Sequence, residues 1–269
     1  LNLSRYDGDH IGSVLWSNIL GDSYDYDSHQ WYLNRGLKHE ANAFVRGEML
    51  FADCLTAYAD LQYRGVWLDM SGPEDDGVLL DHSDNWQFFN PRAGVSYIHH
   101  RHNLFASAAV AHREPTRSDF TDRYMFSADH TEPKPERLVD FEVGYTYTAP
   151  RVVVGVNLYY MLYHNQLVAT GMVNDGDDAL NTNVARSYRR GVELMASWRV
   201  AKWLTLSANA TLSQNKICDY VDELKDSPTY GQNLGDMTIS YSPSVMGSVM
   251  ADFHVGGFSA LWHTQYVGK

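Results

Sequence analysis

The sequence predicts an all-β protein, an antiparallel transmembrane β-barrel segment of about ten strands. Three observations carry this. Apolar and polar residues alternate with period two over long stretches, the connections between those stretches are short and long by turns, and Tyr and Trp gather near strand ends on the apolar side. A soluble β-sandwich also alternates, but nothing requires it to lengthen every second connection or to rim its apolar face with amphipathic rings.

Taken in order, the alternation starts weakly at 42–50. Over 55–68, Leu55, Ala57, Ala59, Leu61, Tyr63 and Trp67 oppose Thr56, Asp60, Gln62 and Arg64. Over 86–99, Phe89, Ala93, Val95 and Tyr97 oppose Asn90, Arg92, Gly94 and Ser96. After a weaker stretch at 103–114, Val139, Phe141, Val143, Tyr145 and Tyr147 oppose Glu136, Asp140, Glu142 and Thr146. From Val152 the even positions are apolar to Leu162; 188–200 and 204–213 repeat the pattern, and 238–254 and 258–268 repeat it more faintly. No segment sustains a 3.6-residue period. Short connections fall near Ala52-Asp53, 99–102, Ala149-Pro150, Ala201-Lys202 and Gly256-Gly257, and long ones at about 70–85, 115–135, 170–186 and 219–237.

Charge narrows the function. Lys+Arg 21 against Asp+Glu 33 gives −12 over 269 residues, which excludes bulk neutralisation of nucleic-acid phosphates. The excess acid sits in the long connections, as solvated surface: Glu74, Asp75, Asp76, Asp81, Asp84, then Asp175, Asp177, Asp178, then Asp219, Asp222, Glu223, Asp226. Within strands, Asp60, Arg64, Arg92, Asp140, Glu142, Arg189, Glu193 and Arg199 all fall on the polar face. A charge facing lipid at mid-depth costs about 2–4 kcal/mol, so these residues are expected to line the lumen. Mean hydropathy is −0.37 and no apolar run reaches a membrane helix, which a barrel does not need. Cys54 and Cys218 are assigned to opposite rims and are expected to be unbridged. His99, His100 and His102 read as turn histidines rather than a metal site. No Gly-x-Ser-x-Gly elbow, His-Glu-x-x-His or phosphate loop occurs, which argues against an enzyme, an outer-membrane hydrolase included.

An ordered set of strings then adds a resemblance: Tyr6-Asp7-Gly8-Asp9-His10, Asp60-Leu61-Gln62-Tyr63-Arg64, Phe89-Asn90-Pro91-Arg92-Ala93-Gly94, Ala111-His112-Arg113-Glu114-Pro115-Thr116-Arg117, His130-Thr131-Glu132-Pro133-Lys134-Pro135-Glu136, Ser187-Tyr188-Arg189-Arg190-Gly191-Val192-Glu193 and Tyr266-Val267-Gly268-Lys269. Over essentially the whole chain this resembles the C-terminal barrel half of TonB-dependent outer-membrane receptors, especially those of Bacteroidetes-type bacteria. The resemblance implies a plugged barrel of about 22 strands. Residues 1–269 would then be one partial barrel domain, with the plug, the first strands and the last strands lying outside it. Leu1 in place of Met, and an extended stretch running to Lys269, fit a chain cut from a longer one.

The implied function is uptake of a scarce solute, a ferric siderophore or similar metal chelate, energised by TonB acting through the N-terminal region. Cobalamin or glycan uptake, or a passive porin, are the rival readings. Implied partners are outer-membrane lipid, TonB, the small-molecule chelate and a surface lipoprotein; no resident cofactor or metal is expected. Where the strand near 113 leaves the wall, His112, Arg113, Arg117, Asp119, Tyr124, Phe126 and His130 are the candidate ligand contacts, because guanidiniums clamp carboxylate or catecholate oxygens. Haem-type members carry Phe-Arg-Ala-Pro where Arg113-Glu114-Pro115-Thr116 stands, so no haem ligand is assigned to His112 or His130.

Overall fold

The computed structural model of the chain describes residues 1–19, 25, 30–74, 79–121, 132–173, 179–222 and 227–268. The strands are β1 (Asn2–Ser13), β2 (Gln30–Ala52), β3 (Leu55–Pro73), β4 (Leu79–His99), β5 (His102–Arg113), β6 (Glu136–Ala149), β7 (Val152–Val173), β8 (Ala179–Ala201), β9 (Leu204–Ile217), β10 (Met237–Thr238), β11 (Val245–Val255) and β12 (Phe258–Val267). One five-residue helix, α1 (Arg117–Thr121), interrupts them. Among the described residues the hydrogen-bonded order follows the chain from β1 to β9 and then β11 and β12, with β10 beside β9. The chain forms two compact units, Leu1–Val45 with Gln62–Asn90, and Arg46–Leu61 with Pro91–Lys269.

In the second unit the antiparallel register sets like against like. Val143 faces Leu158, Leu158 faces Val192, and Val156 faces Leu194. Leu194 faces Ala210, and Leu206 lies between Trp198 and Ala251. These side chains are exposed: Leu158 at 50%, Leu194 at 45% and Leu206 at 37%. A soluble sandwich would bury them; a sheet that turns its apolar face to hydrocarbon does not. The alternate positions Asn157, Gly191, Glu193 and Thr211 form the polar face.

Strand length departs from the sequence reading. β2, β4, β7 and β8 run for 23, 21, 22 and 23 residues, about twice the 9–11 that cross a bilayer. The connections expected at 70–85 and 170–186 are therefore mostly strand, since β3 continues to Pro73, β4 begins at Leu79, β7 continues to Val173 and β8 begins at Ala179. Backbone pairing persists there without an apolar alternation to advertise it. β1 and the first half of β2 were not expected as strands, and the segment at 238–254 resolves into the short β10 and β11 from Val245. The tight turns stand where the alternation places them, at 53–54, 100–101, 150–151, 202–203 and 256–257.

Except for Ala251 of β11, the buried apolar side chains among the described residues lie in the long-loop halves. In the first unit these are Val66, Leu68, Met70, Leu80, Trp86 and Phe88. There Gly72 holds φ +113 where a Cβ would meet the Leu33 carbonyl oxygen at 2.5 Å, so the chain needs a residue without one. In the second unit Val168, Val184, Ile217 and Ile239 cluster with Tyr220 against them. The switch from exposed to buried even positions along β7 occurs at Asn165, which has φ 52 and drops out of the ladder: His164 pairs Arg186 and Gln166 pairs Val184. Gln166 and Val168 beyond it are buried.

Leu158→Arg is expected to destabilise the folded barrel in lipid by about 2–4 kcal/mol, and Thr211→Arg on the polar face by far less. Urea titration of the vesicle-inserted protein, read by the heat-modifiable gel shift, measures both.

Candidate functional site

On the polar face of the second unit, β6 to β9 and β11 surround a hollow of about 370 Å³. Glu142, Asn157, Tyr159, Arg189, Glu193 and Ser213 line it, with Ser242 from the segment before β11. Parity puts these residues on one face, and register pairs Glu142 with Tyr159, Asn157 with Glu193 and Arg189 with Asn215 across neighbouring strands. Tyr159 lies over Gly191, where a Cβ would meet its hydroxyl at 2.6 Å. Arg189 donates from Nη1 to Ser242 Oγ at 2.9 Å, and Asn157 donates from Nδ2 to Glu193 Oε2 at 3.3 Å. Asp140 Oδ1 and Asn157 Oδ1 are buried without a hydrogen-bond partner among the described residues. Each such atom forgoes about 1–3 kcal/mol until water, solute or another segment supplies a donor. The hollow thus offers a guanidinium, carboxylates, amides and hydroxyls together, beside the apolar surfaces of Met161, Tyr241, Pro243 and Met246.

The other residues assigned to the polar face are placed as follows. Arg46 reaches Asp60 at 3.7 Å and lies 5.0 Å from the Tyr58 ring centre, with Arg92 at 5.8 Å from the same ring. Tyr58 is therefore held between two guanidiniums. Arg199 makes no side-chain ion pair or hydrogen bond among the described residues. In the first unit Arg64 is committed to Glu40 by two bonds, Nε to Oε1 at 2.8 Å and Nη2 to Oε2 at 3.0 Å. There too Arg35 clamps Asp7, both contacts at 2.8 Å.

The structure brings only part of the 112–130 candidate set together. His112 pairs Arg137, whereas Arg113 pairs Glu136, so adjacent residues point to opposite faces. His112 shares the apolar face with Leu104 and Val110. Arg113 donates from Nε to Glu136 Oε2 at 2.8 Å, and Glu136 Oε1 accepts from the Leu167 amide at 2.5 Å. Asp119 is buried: its Oδ2 accepts from the Thr116 amide and hydroxyl, each at 2.7 Å, closing the start of α1, and its Oδ1 accepts from Asn181 Nδ2 at 3.3 Å. Arg117 is half-buried on α1. Tyr124, Phe126 and His130 lie outside the described residues, as do Asp75, Asp76, Asp175, Asp177, Asp178, Glu223 and Asp226.

Sequence reasoning passed over the residues that anchor this segment. Asn183 accepts from the Lys134 amide at 2.7 Å and donates back to the Lys134 carbonyl at 3.0 Å and to the Asn165 carbonyl at 2.6 Å. Ser187 donates to Gln166 at 2.5 Å, both buried. One signal was available: Pro133 and Pro135 flank Lys134, a stretch poor in amides of its own, and Asn181 and Asn183 repeat at strand spacing.

Both cysteines are free thiols. Burial pushes the Cys218 thiol up, with the carboxylates of Asp236 and Asp219 adding to it and Arg186 opposing. Maleimide labelling of Cys218 is thus expected to demand a higher pH than an ordinary thiol, and Arg186→Ala to raise that pH further; labelling rates followed by intact-mass measurement test both. Glu136→Ala strips the acceptor from the Leu167 amide and the partner from Arg113. It is expected to cost about 1–3 kcal/mol and to speed deuterium exchange at that amide.

Comparison with known proteins follows the geometry. No curated protein matches the sequence. Among solved structures, the FrpB iron transporter from Neisseria meningitidis (F3-3 variant) is 18% identical, with TM-score 0.60 over 87% of this chain and 33% of its own. The ferric-catecholate import receptor Fiu from K12 E. coli is 12% identical, with TM-score 0.67 over 99% and 40%. The copper transporter OprC is 13% identical, with TM-score 0.71 over 97% and 40%. The chain thus spans about a third to two fifths of the length of these structures, whose likeness is one of fold. A family model described as TonB dependent receptor-like, beta-barrel matches residues 2–269. The chain belongs to this family of outer-membrane β-barrel receptors, not to a family of enzymes.

Proposed function

We propose that the receptor to which these strands belong takes up a scarce polar solute, a ferric siderophore or similar metal chelate, energised by TonB through an N-terminal region and plug. In this reading residues 1–269 are a partial barrel domain that supplies wall and capture surface. Asp60, Arg92, Asp140, Glu142, Arg189, Glu193 and Arg199 line the passage in the second unit, and Arg64 does so in the first. The observation that carries the reading is the hollow: Arg189, Glu142 and Glu193 line it together with Asn157, whose Oδ1 has no partner among the described residues, and Asp140, with Oδ1 in the same state, lies on the same face of β6. Chelates of iron present carboxylate, hydroxamate or catecholate oxygens, which a guanidinium and amides can hand along by hydrogen bonds.

Arg113 and Arg117 stand at the loop-side end of the same unit. Arg113 remains 56% exposed despite its bond to Glu136, which leaves donors for an anionic ligand. His112 enters this role only from the apolar face. A surface lipoprotein would meet the long loops.

The test is growth of a deletion strain on defined ferric siderophores as sole iron source, with cobalamin and glycan dependence scored in parallel. Loss of growth on one ferric chelate, restored when the gene is returned, supports the reading; a defect confined to cobalamin or a glycan, or uptake that persists without TonB, replaces it with the rival transporter or a porin. Arg189→Ala is expected to lower uptake about tenfold at unchanged surface level, the loss of one charged hydrogen-bond donor.

A further inference from the structure

The tight turns carry a second pattern, in charge. Consecutive turns of the second unit present Arg101, Arg151 and Lys202, all exposed. None makes a side-chain ion pair or hydrogen bond among the described residues. In a chain of net charge −12, these three turns carry no acid, and Asp53 stands in the tight turn before them. Backbone bonds tie each turn to the next hairpin: Thr148 N to Arg101 O at 2.8 Å, Arg199 N to Arg151 O at 2.8 Å, and His254 N to Trp203 O at 2.9 Å. The three cations are thereby set along one rim, two strands apart, roughly 10 Å at the usual strand spacing.

Next to them the apolar face ends in aromatic and imidazole rings. His99 stacks on Tyr97, and His102 Nδ1 lies 2.8 Å from Tyr145 Oη. Trp203 stacks on Phe253 with 49% of its surface exposed. Rings of this kind settle at headgroup depth, with their polar atoms turned outward. Cations just beyond that depth meet phosphate.

We propose that this rim is a binding surface for anionic glycerophospholipid in the leaflet at the tight-turn side, with Arg101, Arg151 and Lys202 engaging headgroup phosphates while the ring band holds the glycerol region. The inference rests on the outer-membrane reading and not on the identity of the transported solute. Cations in line with a lipid-facing aromatic band, and without a side-chain partner among the described residues, are complementary to phosphodiesters. Uncharged variants of the rim lose this attraction, whereas charge-conserving ones keep it.

Native mass spectrometry of the full-length receptor, given phosphatidylglycerol and phosphatidylethanolamine of equal chain length, reads the preference directly. The unaltered receptor is expected to retain phosphatidylglycerol over phosphatidylethanolamine by at least about fivefold, the factor one cation supplies at an anionic surface. Arg101→Ser, Arg151→Ser and Lys202→Ser combined should abolish that preference, and Arg186→Ser, at the loop side, should leave it intact. Should the triple variant fold poorly by heat-modifiable mobility, each single variant is expected to lose part of the preference, and Arg101→Lys with Arg151→Lys to keep it. Equal retention of both lipids by the unaltered receptor, or a preference that survives in the uncharged variants, overturns the proposal. Loss of uptake with the lipid preference intact would count against the transport reading alone.

Discussion

The rest of the structure depends on backbone pairing in a medium without water. An unpaired amide or carbonyl in hydrocarbon costs several kcal/mol, so each strand must be hydrogen-bonded along both sides through the bilayer. Continuous pairing forces strict alternation of side chains, and alternation leaves one face to lipid and one to the interior. The level rows Val143–Leu158–Val192 and Val156–Leu194–Ala210 are the result on one face. Asn157–Glu193–Thr211 is the result on the other. A register slip of one residue would exchange the rows and place Glu193 in lipid.

Beyond the bilayer the same strands obey a different rule. Water can satisfy the backbone there, so alternation relaxes. Asn165 steps out of the ladder, and Val168 and Val184, on what was the lipid-facing parity, join Ile217 and Ile239 in a small apolar cluster. Polar groups there close on one another: Glu136 holds Arg113 and the Leu167 amide, Asp119 ties α1 to Asn181, and Asn183 fastens Lys134 to Asn165. The loop side is thus held by satisfied hydrogen bonds, most of them part-buried, more than by a large core.

What could be read in the sequence follows from these two rules. Where lipid enforces alternation, as in 152–162 and 204–213, faces and tight turns were legible residue by residue. β1 was not, because Arg5, Asp7 and Asp9 leave neither side of Asn2–Ser13 continuously apolar. The outer parts of β3, β4, β7 and β8 were illegible for the related reason that paired backbone above the membrane carries no compositional mark. The charged residues of the polar face could be sorted by parity alone. Their partners could not: Arg113 finds Glu136 across 23 residues and Asn183 finds Lys134 across 49, distances that only the strand order supplies. Arg113 and Asp119 were picked out by residue type for a ligand, and residue type does not reveal that Asp119 closes its own helix.

The contrast between closed and open polar groups separates framework from working surface. At the loop side, carboxylates such as Asp119 and Glu136 have their acceptor capacity taken up by amides and guanidinium of the same chain; replacing them loosens the frame. On the polar face of β6 to β9, Arg189 spends one donor on Ser242, Glu193 holds one long bond from Asn157, and Asp140 Oδ1 and Asn157 Oδ1 have no hydrogen-bond partner among the described residues. A folded protein keeps few buried polar atoms in that state, because each one subtracts from a small total stability. Groups left this way have to be completed by something that is not a fixed part of the sheet. On the proposed reading, in which a polar solute moves past this wall, permanent satisfaction would be a defect: a site that has already closed on itself has no hydrogen bonds left to exchange with what passes.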